Sequence, residues 1–218
     1  MVLKKVYLIL GEKMDEKLKI RLKQLNFFKK NTIEKRLAAS GWDKDWKTLI
    51  AIMLSAQTRD ETTIKIANNL FNKFKTLKKL SEAKYIDVFN ILKSVNYNKS
   101  KTKHVLACAK ILVDDYDLIV PKDFDKLVLL PGVGRKTANV FLAQFGGANI
   151  GVDTHVAYIS TRMGWTKSKT QKGVENDLKE LFPAKYWSSL NNILVSFGRS
   201  YTSKQERNKL IDIAKKIK

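Results

Sequence analysis

Lys136 and Asp153 stand 17 positions apart, each at the start of a helix-like segment, RKTANVFLAQF and DTHVAYISTRM. Together such residues can do covalent chemistry: a neutral lysine attacks an electrophilic carbon and holds it as a Schiff base. An aspartate then takes the amine's proton or stabilises positive charge developing at the reacting carbon. Lysine has an ordinary pKa near 10.4, so this use requires desolvation, a neighbouring cation or a helix N-terminus to release the proton. A first-turn position beside Arg135 supplies the last two. Both residues also have plainer uses, the lysine holding a phosphate beside a glycine turn and the aspartate capping its helix.

Lys136 directly follows LPGVGR. A Gly-Val-Gly turn between two helical segments reads as a helix-hairpin-helix over about 124–145. Glycine permits φ > 0 and close approach, so the amides of Gly132, Val133, Gly134 and Arg135 are expected to converge on one phosphate. Such contacts grip nucleic acid without reading its sequence. Two other phosphate loops fit poorly. A Walker loop needs four residues between its glycines, and a dinucleotide fingerprint needs Gly or Ala where Thr137 stands, after a strand. The remaining alternative is that the two glycines only end one helix and start the next.

These residues need a scaffold, and the rest of the chain reads as helices. Only 3 prolines and 10 glycines punctuate 218 residues, and apolar residues recur at helical spacing in most segments between them. Helices are expected over 46–57, 60–74, 85–95, 99–116, 124–131, 135–145, 170–181 and 185–199, with another beginning at Asp153 and a charged tail after Ser203. The fold class is all-α. No repeat or Pro/Ser-rich tether separates the halves, so two packed lobes are expected: 38–148, and 1–37 plus 149–218.

Charge bears on the partner. Lys plus Arg number 42 against 21 Asp plus Glu, a formal charge of +21 that favours a polyanion such as nucleic acid. A generally lysine-rich proteome is the plainer explanation. Cys108 is the single cysteine, which excludes an intramolecular disulfide and an all-cysteine metal cluster and points to a reducing, intracellular setting. The N-terminal run VYLIL is too short for a signal h-region, and no run approaches the roughly 20 apolar residues of a membrane span.

With MLSAQTRD at 53–60, LPGVGRKTANVFLAQFGG at 130–147 and IGVDTHVAYISTRMGW at 150–165, the sequence resembles the endonuclease III family of DNA base-excision glycosylases from about residue 38 to 200. The resemblance implies a two-lobed helix-hairpin-helix glycosylase with DNA across the groove between the lobes. It implies that Lys136 attacks C1′ of a damaged pyrimidine nucleotide in duplex DNA, expels the base and permits β-elimination, with Asp153 assisting. Base removal and abasic-site cleavage would then belong to one monomeric enzyme. Gln57 and Tyr97 match positions that fill the space left by the everted nucleotide, although relatives often carry leucine where Tyr97 stands. Ser55 and His155 match residues near the pocket or the DNA, and Asp60 matches an orienting or capping aspartate.

Many relatives hold a [4Fe-4S] cluster on four C-terminal cysteines. Here Ser203 stands at the first ligand position and no cysteine follows, so no cofactor is expected. Lys204, Arg207, Lys209 and the final KKIK are candidates to replace the DNA contacts of that loop, and the N-terminal segment to brace the C-terminal lobe. Two other functions stay open: a mismatch or adenine glycosylase without lyase activity, which the lysine disfavours, and a non-catalytic helix-hairpin-helix DNA-binding protein.

Overall fold

The helical spacing is realised as twelve α-helices and one short 3-10 turn among residues 15–33 and 36–218, which are those described by a computed structural model. In chain order they are α1 (Glu16–Lys30), α2 (Asp45–Ser55), α3 (Asp60–Lys73), α4 (Leu77–Ser81), α5 (Tyr85–Leu92) and α6 (Asn98–Asp114). There follow α7 (Phe124–Val128), α8 (Arg135–Gln144), α9 (Thr154–Met163), α10 (Gln171–Leu181), α11 (Trp187–Ser200) and α12 (Lys204–Lys215). The run VYLIL lies outside the described residues. Among those residues there is no strand, and no helix is long and apolar enough to cross a membrane.

Two apolar cores form. The first is built on α2, whose Leu49, Ile50, Ala51 and Leu54 have no exposed surface, because a helix apolar on all sides must be enclosed on all sides. The helices α3 to α8 supply the enclosure. The second core gathers α1, α9, α10, α11 and α12 around Phe28, Phe182 and Phe197. Phe28 of α1 packs 4.7 Å, centroid to centroid, from Phe197 of α11, so the chain's early part completes a core made otherwise from its last third.

Several of the helical expectations shift, and those over 85–95 and 124–131 end early, at Leu92 and Val128. The helix expected over 46–57 stops at Ser55, since Ala56 leaves the helical region (ψ 117°) and Gln57 then takes a left-handed backbone (φ 54°). The helix expected from 185 begins at Trp187, after the 3-10 turn Ala184–Tyr186. The charged tail is a helix: Ser203 caps α12 by accepting the Glu206 amide, and Ile211 and Ala214 are sealed in the second core.

Candidate active site

The hairpin turn joins α7 to α8. Gly132 adopts φ 78°, and a Cβ there would stand 2.7 Å from Cβ of His104, so both backbone and space require glycine. The expectation of positive φ does not extend to Gly134, which is extended at φ −89° and borders open space. Nor does Val133 offer its amide outward. Its side chain is buried and its N–H donates to Leu130 O at 3.0 Å, closing the turn. Helix α8 begins with Gly134 as N-cap and no capping side chain, and its first backbone bond from a described residue runs from the Ala138 amide to Gly134 O. The amides ahead of Ala138 therefore form an uncapped helix start next to an open glycine, the geometry that suits an anion.

Lys136 lies in that first turn and lines a cleft together with Asp153, Ser55 and Asp60. Burial lowers its pKa below the ordinary lysine range, and the nearby Asp153 charge works against the shift. The cation expected to help, Arg135, is turned away. Its guanidinium forms a two-pronged bond with Glu175 at 2.9 and 3.1 Å. Lys136 itself makes no ion pair within 4 Å among the described residues, so its amine is uncommitted.

Asp153 is both an N-cap and a cleft residue. Its Oδ1 accepts from the amides of His155 (2.9 Å) and Val156 (2.8 Å), which fixes the carboxylate and leaves Oδ2 unpaired beside the cleft. The approach to Lys136 depends on Gly151: a Cβ there would meet Val140 Cγ2 at 2.3 Å and Lys136 O at 3.4 Å. The segment before Asp153 thus lies directly on the first turns of α8.

Gln57 and Tyr97 are exposed and stand on two loops that meet. The Asn96 side-chain amide donates to Gln57 O, and both Gln57 and Tyr97 have left-handed backbones, φ 54° and 57°. Beneath them is a residue that sequence reasoning missed. Lys101, 8% exposed, donates to Leu54 O (2.7 Å), Ala56 O (2.7 Å) and Thr58 Oγ1 (3.0 Å). Burial brings its pKa down to about 8, so at neutral pH it remains an ammonium with three donors for three acceptors.

The other expected residues are distributed differently. Ser55 ends α2, donates to Ile52 O at 2.8 Å and lines the cleft. Asp60 does not cap α3; it pairs with Arg199 of α11, tying the first core to the second across the cleft. His155 sits between α9 and α11, where a Cβ on Gly198 would come within 2.6 Å of it, and it is not among the residues lining the cleft. Glu175, a second missed residue, accepts from Arg135, Asn139 (3.1 Å) and Lys179 (2.7 Å) and is buried.

An iron–sulfur cluster does not fit the residues present. Ser203 is occupied as a helix cap, and Cys108 is sealed in the first core with its thiol pushed up to about 12 by burial. No group of three or more metal-ligating side chains exists among the described residues.

Residues 50–184 match the family of HhH-GPD superfamily base excision DNA repair proteins. The endonuclease III of Thermotoga maritima is 39% identical over 155 residues, covering 71% of this chain and 73% of that protein. The enzyme of Bacillus subtilis is 35% identical over 164 residues, covering 73% and 74%. A solved non-covalent endonuclease III–DNA complex superposes with a TM-score of 0.79 at 31% identity, covering 88% of this chain and 90% of that one. A trapped endonuclease III–DNA covalent intermediate gives 0.75 at 30% identity with the same coverage. With hairpin, cleft lysine and capping aspartate in this order on this fold, the chain belongs to the endonuclease III family of the HhH-GPD superfamily, as a member without the cysteines that would ligate an iron–sulfur cluster.

Proposed function

We propose that this DNA glycosylase and abasic-site lyase removes damaged pyrimidines from duplex DNA with Lys136 as nucleophile and Asp153 as its proton acceptor, and works as a monomer. The observation that carries the reading is an uncommitted, half-buried lysine sharing one cleft with a carboxylate whose orientation is fixed by two backbone amides. The uncapped start of α8 holds a phosphate, and Gln57 and Tyr97 occupy the gap left when the nucleotide leaves the stack, an opening that costs about a few kcal/mol.

The chemistry runs in balanced steps. Lys136 Nζ attacks C1′ as the glycosidic bond breaks and its electrons leave with the base, which gains a proton. Asp153 accepts the proton released by the amine. Asp153 returns that proton to O4′ as the C1′–O4′ bond breaks, which opens the sugar, gives an iminium at C1′ and acidifies C2′; loss of the C2′ proton to water expels the 3′ phosphate with the C3′–O bond electrons, and a second water hydrolyses the iminium to release the lysine.

Borohydride reduction on a duplex with one abasic site tests this. The parent protein is expected to give a covalent adduct, Lys136→Gln none, and Asp153→Asn a rate lowered at least 100-fold. DNA binding without any adduct from the parent would instead favour a non-catalytic DNA-binding protein, and excision without strand cleavage a monofunctional glycosylase.

A further inference from the structure

Helix α11 turns one face to the cleft. Asn191, Val195 and Arg199, spaced at i, i+4 and i+8, all line it, as Lys136 of α8 does. The two helices are locked in register by Ser188 Oγ, which donates to Ala143 O at 3.0 Å. Arg199 is engaged by Asp60, and Val195 is apolar. Asn191 is different. It is 2% exposed, its Oδ1 is sealed from solvent without a partner, and its carboxamide makes no hydrogen bond to any described residue.

A sealed amide oxygen with no partner has given up its bonds to water and received nothing in return. The other unpartnered buried atoms have explanations nearby. Asp60 Oδ1 belongs to a carboxylate already paired, Arg162 and Arg207 bond through their other nitrogens, and Ser160 is not a cleft residue. Asn191 alone among these lines the cleft with its whole polar group unused.

We infer that Asn191 is a specificity-determining residue that reads the everted base, taking a pyrimidine ring edge on which a carbonyl and an N–H stand side by side. A carboxamide carries one donor group and one acceptor at the spacing of that edge, which uracil- and thymine-derived bases present at C4 and N3. The cleft shared with the nucleophile is where the base must lie when Lys136 faces C1′. This assignment rests on the proposed lysine mechanism and adds to it the group that recognises the substrate.

The two reactions of the enzyme separate the role from its alternatives, because an abasic site has no base to read. Asn191→Leu keeps the branched outline of the side chain and removes both polar atoms at the cost of added bulk, and Asn191→Ala removes them without it. On a duplex with one 5,6-dihydrothymine, both variants are expected to lose at least tenfold in single-turnover excision. On a preformed abasic site their cleavage should stay within about twofold of the parent, because neither variant touches the nucleophile or its proton acceptor. Unchanged excision in both variants overturns the assignment, as does an equal fall in both reactions, which would mark a structural position. A parent protein that fails on the abasic duplex refutes the lysine mechanism itself, an outcome visible in a separate arm.

Discussion

Burial lowers the Lys136 amine below the lysine range, and the Asp153 charge opposes part of that shift. Between the folded pKa and the ordinary value near 10.4, the unfolded chain keeps a proton that the folded chain has released. Stability therefore rises with pH across that window, and below it the fold carries the cost of a charged, half-buried amine. Lys136→Gln abolishes this cost. The variant is expected to exceed the parent in stability at pH 7 and to lack the alkaline rise; identical urea midpoints for both proteins at pH 7 and pH 10 would show an amine open to water. Asp153→Asn removes the opposing charge, so it moves the Lys136 titration further down while slowing the chemistry. The helix-start positions of these two residues are legible in the sequence because first turns and caps are defined locally, whereas their chemistry is what the family resemblance implies. Lys101, Glu175 and Asn191 are not legible there, since a lysine among several in NKSKTKH, or an asparagine in an amphipathic helix, gains its role only when another helix arrives beside it.

Glu175 shows how two elements are held in register. Burial works to raise its pKa, but bonds from Lys179 and Arg135 outweigh that and hold the carboxyl below its usual range. The carboxylate joins the first turn of α8 to α10, so the helix carrying Lys136 is pinned on one side to the second core while its other side faces the cleft. Glu175→Gln leaves two cations with a neutral partner. Breaking a fully buried pair costs about 3–5 kcal/mol; Arg135 here is 39% exposed and can rehydrate, so about 2 kcal/mol is expected in chemical denaturation. A depressed carboxylate contributes above its unfolded pKa near 4.3, and that contribution fades as pH falls through the folded value. The variant should accordingly lose part of the parent's acid sensitivity, and an unchanged acid midpoint would count against a buried, charged Glu175. The sequence reading put Arg135 to work on phosphate and on Lys136, and a guanidinium spent on a residue 40 positions away was outside what spacing can tell.

At the scale of the molecule, charge and chemistry divide the work. The surplus of 21 cations spreads over a protein whose cleft is a small part of its surface, so most of the attraction to DNA is indifferent to damage. In the proposed function, recognition is left to the cleft lined by Lys136, Asp153 and the α11 face. The two cores make this possible: α8 belongs to the first, α9 and α11 to the second, and the reacting groups lie along the seam. Salt should therefore act on one stage only. Each phosphate contact made by a cation contributes a slope of about −0.9 to log K against log salt, so an interface of about five contacts gives a slope near −4.5. The same slope is expected for undamaged and abasic duplexes, whereas the cleavage rate with enzyme saturating should hardly change between about 50 and 200 mM salt, because the chemical step is enclosed between the lobes. A single-turnover rate that fell in parallel with affinity would mean that the cleft assembles only under the pull of surface charge. The two cores would then close on DNA rather than meet it already closed.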